Sequence, residues 1–180
     1  IATPSLEARV AGRLGFRDDV MRVPVFGLGC AGGVSGLAIA SRLAEARPDS
    51  VVLMVTVELC SLAFRIDQLT KANIVATALF GDGAAACVLR AGETGIAAVE
   101  ASGQKTWPGT LDIMGWSIDP QGFGVIFDQA IPPFVETHLG SAAAEVLGRS
   151  ELTIDDVDRF VCHPGGTKVI AALERALQIG

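Results

Sequence analysis

One stretch constrains this chain more than any other: Val23–Ala40, reading VPVFGLGCAGGVSGLAIA. An apolar run (Val23, Val25, Phe26) has the character of a strand and ends in a glycine-rich turn around a single cysteine. Val34, Leu37, Ala38, Ser41 and Ala44 then recur at steps of three and four, the spacing of a helix with one apolar face. Glycines on both sides of Cys30 let the backbone turn sharply and let another group come close. The cysteine thus sits where a strand hands over to a helix, at the end where unpaired N–H groups point outward. Those donors and the helix dipole favour a thiolate there. Cys30 is a candidate sulfur nucleophile.

The same letters carry a rival reading. Gly27-x-Gly29-x-x-Gly32 matches the dinucleotide-binding fingerprint, and Glu58 ends the next apolar run as a ribose-binding acid would. The separation from Gly32 to Glu58 is longer than the ~20 residues usual for that motif.

With 180 residues, half of them hydrophobic, the chain has the material for one domain with a buried core. A net charge of -6 argues against nucleic acid or an anionic membrane as partner. Four cysteines in so apolar a chain read as reduced thiols of a cytoplasmic protein, not as a disulfide framework. The uncharged run Val23–Ser41 is long enough to span a membrane, but Pro24 and its glycines break it, so no membrane span is expected. The chain opens at Ile1, and Thr3-Pro4 reads as a helix start, with Thr3 as N-cap and Pro4 as first helical residue. An opening without Met and an ending at Gly180 suggest a piece truncated at both ends.

In chain order, residues 5–15 have helical spacing and stop at Gly15. The focal strand–cysteine–helix unit follows, ending near Arg47-Pro48-Asp49. Val51–Val57 is a continuous β-branched run, as for a strand buried on both faces. Residues 67–78 read as a helix, Phe80–Gly83 as a tight turn and Ala84–Leu89 as a strand. Ala97–Ala101 reads as a further strand, joined to it in an antiparallel hairpin through Ala91–Thr94. Gln104–Gly124, rich in Gly, Pro, Trp and Asp, is expected to be extended, with its two Trp as core or interface anchors. Val125–Phe127 reads as a short strand, Pro132–Leu147 as a helix, Leu152–Asp158 as an acidic connection, Arg159–Cys162 as a strand and Thr167–Leu177 as a helix. Helices between strands define an α/β layered fold.

The census of catalytic groups is short. Of the two histidines, His138 lies in a helix with polar neighbours and reads as part of a solvated face. His163 ends a strand and precedes Pro164-Gly165-Gly166, at the sheet edge where α/β folds bind ligands. A structural histidine in a turn and a functional one weigh equally at this site alone. Cys30 shares that topology, so a Cys–His nucleophilic pair is chemically sensible. Cys60, Cys87 and Cys162 lie in or beside apolar strands, where free cysteine behaves as a small hydrophobe. No ligand set at zinc spacing is present, and no metal is expected.

Three spaced motifs then carry a resemblance. Gly29-Cys30-Ala31-Gly32-Gly33, Leu79-Phe80-Gly81-Asp82-Gly83-Ala84-Ala85-Ala86 and His163-Pro164-Gly165-Gly166, in this order, resemble the chalcone/stilbene synthase family. These are the type III polyketide synthases, on the thiolase-like fold shared with β-ketoacyl synthase III. The resemblance covers the whole chain. Val57–Arg65 (VELCSLAFR) and Thr106–Trp116 (TWPGTLDIMGW) look like the bacterial branch that makes alkylresorcinols or alkylpyrones from fatty acyl starters.

The resemblance implies a thiolase-like layered fold, the central part of a duplicated α/β/α/β/α architecture. Residues 1–93 would end its N-terminal half and 94–180 would begin its C-terminal half. Cys30 would accept the acyl group. His163 would pair with it and stabilise the enolate formed when malonyl-CoA loses CO2. Phe80 would be a gatekeeper aromatic, and Cys60, Ala63 and Val125 would line a pocket with room for a long acyl chain. Acyl-CoA and malonyl-CoA are the expected substrates, with no cofactor and with a homodimer as the usual assembly. Plant members extend a Met across the dimer interface where this chain has Thr3, and a third catalytic residue, an Asn, falls beyond Gly180. The alternatives are a β-ketoacyl synthase III-like condensing enzyme, the dinucleotide-binding domain and a catalytically incomplete fragment.

Overall fold

The computed structural model describes residues 3–92 and 94–179; Ile1, and Glu93 within the Ala91–Thr94 connection, lie outside the described residues. A short helix α1 (Leu6–Val10) is followed by the long α2 (Gly32–Ala46), α3 (Lys71–Leu79), α4 (Ile131–Gly148) and α5 (Thr167–Leu177). The strands are β1 (Val52–Glu58), β2 (Gly83–Leu89), β3 (Met114–Asp119) and β4 (Gly122–Phe127). They form two antiparallel pairs, β1 with β2 and β3 with β4. No helix is long and apolar enough to cross a membrane among the described residues.

In the first pair Met54 stands opposite Cys87, and Leu53 opposite Val88. Side chains alternate across a strand, so Val52, Met54 and Thr56 share one face while Leu53, Val55 and Val57 share the other. Helix α2 covers the first face. Met54 is near enough that a Cβ added to Gly36 would lie 2.7 Å from its methyl, and the Cys87 Sγ approaches the Met54 Sδ at 3.9 Å. The second face is open, with Val55 55% exposed. The expectation of a strand buried on both faces therefore gives way to one covered on one face.

The second pair is a hairpin closed by Asp119-Pro120-Gln121-Gly122. The Asp119 carboxylate accepts hydrogen bonds from the backbone N–H of Gln121 (2.9 Å) and of Gly122 (3.1 Å). This side-chain mimic of a turn, a proline with preset φ and a glycine at φ +135° explain why the chain reverses here. Sequence patterning reads β3 only as part of an extended segment, because a strand in a Gly- and Trp-rich stretch is set by its partner, not by its own composition.

Helices α4 and α5 pack against each other, with Ala142, Ala172 and Leu177 buried between them and their surroundings. Helix α3 is capped by Thr70, whose side chain accepts from the Asn73 N–H at 3.2 Å, and it rests on β4.

Further expected elements differ from the observed ones. The helix expected over 67–78 starts only at Lys71. Helix α1 starts after Ser5, not at Thr3-Pro4, and ends at Val10, well short of Gly15. Residues 23–26, 97–101 and 159–162 are not in strands. A strand exists only when a neighbour takes its hydrogen bonds, and none of these runs is paired among the described residues.

The accessible surface is 13426 Å². A closed monomer of 18.6 kDa exposes about 8,000 Å². The excess is apolar in large part: the open β1 face and Met21, Phe26, Leu62 and Ile66 all face outward. These are layers with uncovered faces, not a sealed core.

Candidate active site

Cys30 lies in a 3-10 turn, Gly29–Ala31, that runs directly into α2. The glycine before it adopts φ +53°, which lets the chain turn directly into the helix at this residue. The helix start is where the sequence places it. The electrostatics differ from the expectation of a favoured thiolate: burial of the sulfur pushes the Cys30 thiol up from its ordinary value, and the Glu58 carboxylate raises it further. Cys60 is raised by burial first, and then by Glu58, Asp82 and Cys30. Cys30, Glu58, Cys60 and Asp82 thus share one electrostatic neighbourhood at the end of β1.

Beside it lies a cavity of about 470 Å³, within the range that holds small molecules. Cys60, Ala63, Phe80 and Val125, singled out as pocket residues, all line it. They come from three separate parts of the chain. Cys60 and Ala63 sit in the 3-10 turn that follows β1, Phe80 caps the end of α3, and Val125 is on β4. The hairpin register explains Val125. It stands opposite Trp116, so both side chains leave the same face toward the cavity. Phe80 is held edge-on by Trp116, ring centroids 6.2 Å apart, and by Phe127 at 6.4 Å.

Sequence reasoning did not name Ser61, Asn73, Trp116 or Asp82 among the pocket residues, yet they also line it. Asp82 accepts from the Ser61 N–H at 2.7 Å and from its hydroxyl at 2.6 Å. Those bonds hold the Asp82 carboxyl below the usual carboxylate range and clamp the Cys60 turn to the Phe80 turn. The Phe-Gly-Asp-Gly turn was the available signal, since aspartate in a turn is a ready acceptor.

His163 precedes the N-terminus of α5, in a turn without strand pairing, and is exposed. The turn touches the end of α3: a Cβ on Gly166 would meet the side chain of Leu79, the residue before the cavity-lining Phe80, at 3.7 Å. The Cys30 thiol responds to Glu58 and to its own backbone, and His163 is not among the groups acting on it. Cys162 is exposed.

His138 departs from the solvated-face reading. It is half-buried against Phe134 (4.5 Å between centroids), with Trp107 completing the cluster. Trp107 itself packs edge-on to Phe134 at 5.3 Å, the anchoring role expected of it. The dinucleotide-binding reading of Gly27, Gly29, Gly32 and Glu58 fails on topology. That motif needs a strand running into the glycine loop and parallel to the next strand. Here no strand precedes the loop among the described residues, and β1 pairs antiparallel with β2. No cluster of metal-ligating side chains occurs among the described residues.

A cysteine at the start of a helix laid on a strand pair, with an aromatic-walled cavity beside it, is the layout of a thiolase-like α/β fold. Solved structures agree. The crystal structure of 1,3,6,8-tetrahydroxynaphthalene synthase from Streptomyces coelicolor, a bacterial type III polyketide synthase, matches 100% of this chain and 51% of its own with a TM-score of 0.91 at 30% identity. The C-terminal type III polyketide synthase domain of Steely1 from Dictyostelium matches with a TM-score of 0.89 at 27% identity, over 100% of this chain and 52% of its own. The family model for the N-terminal domain of chalcone and stilbene synthases matches residues 1–93, and the chain belongs to that family.

Among curated relatives, a 1,3,6,8-tetrahydroxynaphthalene synthase from Streptomyces peucetius is 46% identical over 99% of this chain. A putative chalcone synthase from Bacillus subtilis is 40% identical over 98%. The chain covers 48% of the first and 51% of the second, and so spans about half the length of the relatives it matches.

Proposed function

We propose that this chain carries the acyl-accepting centre of a type III polyketide synthase, with Cys30 as nucleophile. The observation that carries the reading is the convergence of Cys60, Ala63, Phe80 and Val125, distant in sequence, on one cavity beside the helix start that presents Cys30. A thiol pushed up by burial and by Glu58 is protonated at neutral pH, so loading requires a base at Sγ. His163 is the imidazole assigned to that role, and its turn packs against Leu79, next to the cavity-lining Phe80. The thiolate attacks an acyl-CoA carbonyl, a thioester bond to Sγ forms, and CoA leaves with a proton. Malonyl-CoA then loses CO2. The resulting enolate carbon attacks the Cys30 thioester, a C–C bond forms and Sγ is released.

The wall of Ala63, Ala76 and Val125 is small-sided and apolar, which supports a long-chain fatty acyl starter. A second reading comes from the relatives named for 1,3,6,8-tetrahydroxynaphthalene. That product has no alkyl chain, so an enzyme making it would load no fatty acyl group. The division at residues 93 and 94 into the end of one half and the start of another, the homodimer and a cytoplasmic location belong to the same reading.

The test is intact mass and peptide mapping of the protein incubated with a long-chain acyl-CoA, and separately with malonyl-CoA alone. A fatty acyl adduct confined to Cys30 supports the reading. An aromatic product formed from malonyl-CoA alone, with no fatty adduct, favours the second. An acyl group found on Cys60 and never on Cys30 sinks the assignment of the nucleophile.

A further inference from the structure

Among the described residues, Arg65 is the one large cation withdrawn from solvent: its side chain is 6% exposed. Burying a guanidinium without partners would be prohibitive, so where its donors go matters. Its Nε and Nη2 donate to the two carboxylate oxygens of Asp67 at 2.7 and 2.6 Å, a two-point pairing with a neighbour on the same segment. Its Nη1 donates across the fold to both oxygens of Asp119, at 3.1 and 3.2 Å. The Asp119 carboxylate is at the same time the acceptor that closes the β3–β4 turn. The Arg65 carbonyl accepts from the Asn73 side-chain amide at 3.0 Å, which ties it to α3.

One side chain therefore joins two walls of the cavity. The first wall is the segment from Cys60 to Asn73, and the second is the hairpin that presents Trp116 and Val125. Nothing covalent holds these walls at a fixed spacing, since 54 residues separate Arg65 from Asp119. The planar fork has a fixed geometry, so it sets the distance at which the hairpin stands. We propose that Arg65 is a positioning residue that fixes the width of the acyl cavity, by holding the Asp119 turn of the β3–β4 hairpin against the Cys60–Asn73 wall. Release of the turn lets Val125 and Trp116 swing away from Phe80, and the pocket loses its discrimination between acyl groups of different bulk.

This rests on the acyl-cavity reading above, and the experiment separates the two. Its core is a comparison of D67N with D119N in the intact protein. Both substitutions remove one carboxylate charge from Arg65, but only Asp119 belongs to the hairpin. D119N is expected to change the ratio of kcat/KM for long over short acyl-CoA starters by about tenfold, the scale set by a methylene-sized change in a pocket. D67N leaves that ratio unchanged while lowering the melting temperature. R65K, which keeps the charge but loses the fork, should behave like D119N, and adding D119N to R65K should change the ratio no further. Equal shifts in D67N and D119N, or none in either, overturn the proposal.

If the wild-type protein loads no acyl group, the functional reading fails and a second measurement still decides the role of Arg65. With W107F as background, Trp116 is the remaining tryptophan. D119N should make its fluorescence more quenchable by acrylamide and D67N should not. Unchanged quenching in D119N overturns the positioning role.

Discussion

Gly140, in the interior of α4, is where two physical effects of opposite sign meet. Helix propensity alone says that replacing glycine by alanine stabilises, by about 1 kcal/mol. The structure says otherwise. A Cβ at Gly140 would lie 2.6 Å from the carbonyl oxygen of Ala176 on α5, where ordinary contact begins near 3.4 Å. Backbone must therefore move by roughly the difference, and α5 cannot shift alone because Ala172 and Leu177 are buried beneath it. Overpacking of this kind costs about 1–3 kcal/mol.

Gly36→Ala supplies the control. Its added Cβ meets an atom at a similar 2.7 Å, but that atom is the methyl of Met54, the end of a flexible side chain that can step aside. Hydrogen exchange on peptides spanning α4 and α5 reads the local opening energy directly. Set against the gain of about 1 kcal/mol in propensity, the clash leaves a net cost of up to about 2 kcal/mol, so Gly140→Ala should raise exchange in α5 by up to about 30-fold. Gly36→Ala should leave exchange in α2 unchanged or slower. If Gly140→Ala protects α5, or if the two variants behave alike, the close approach of α4 to α5 is not the deciding term.

Two further predictions concern the site. Ser61 holds the Asp82 carboxyl below its ordinary value, so the clamp between the Cys60 and Phe80 turns is fully present above the unfolded pKa and is lost as pH falls through the lower folded one. The protection factor of the Ser61 amide, its exchange set against the intrinsic rate at each pH, should drop on acidification below about pH 4, and Asp82→Asn should abolish that dependence; a protection factor indifferent to pH in the wild type would refute it. Glu58 raises the Cys30 thiol, so Glu58→Gln should lower its pKa and speed alkylation of Cys30 at fixed pH. An unchanged rate–pH profile would place Glu58 outside its reach.

The chain is locally legible where its hydrogen bonds are local. Helices α2, α4 and α5 bond within themselves, and their apolar spacing predicts their limits to within a residue or two. The strands β1 and β2 could be read from their β-branched and small apolar runs, and Cys30 from the glycines that flank it. The family motifs added Phe80, Cys60, Ala63 and Val125, and the cavity gathers all four.

What the sequence determined by itself is the helices, the helix-start position of Cys30 and the membership of a family. Which extended runs became strands was a tertiary decision. Val23–Phe26 is as apolar as β4, yet of the two only β4 has a partner, in β3, to take its hydrogen bonds. The upward push on the Cys30 thiol was equally out of view, because it comes from burial and from Glu58, 28 positions away in the sequence but close at the end of β1. Arg65 illustrates the same limit. In sequence it is one arginine after LAF, and only the folded hairpin brings Asp119 to its guanidinium, because charge pairing depends on distance in space and is silent about distance along the chain.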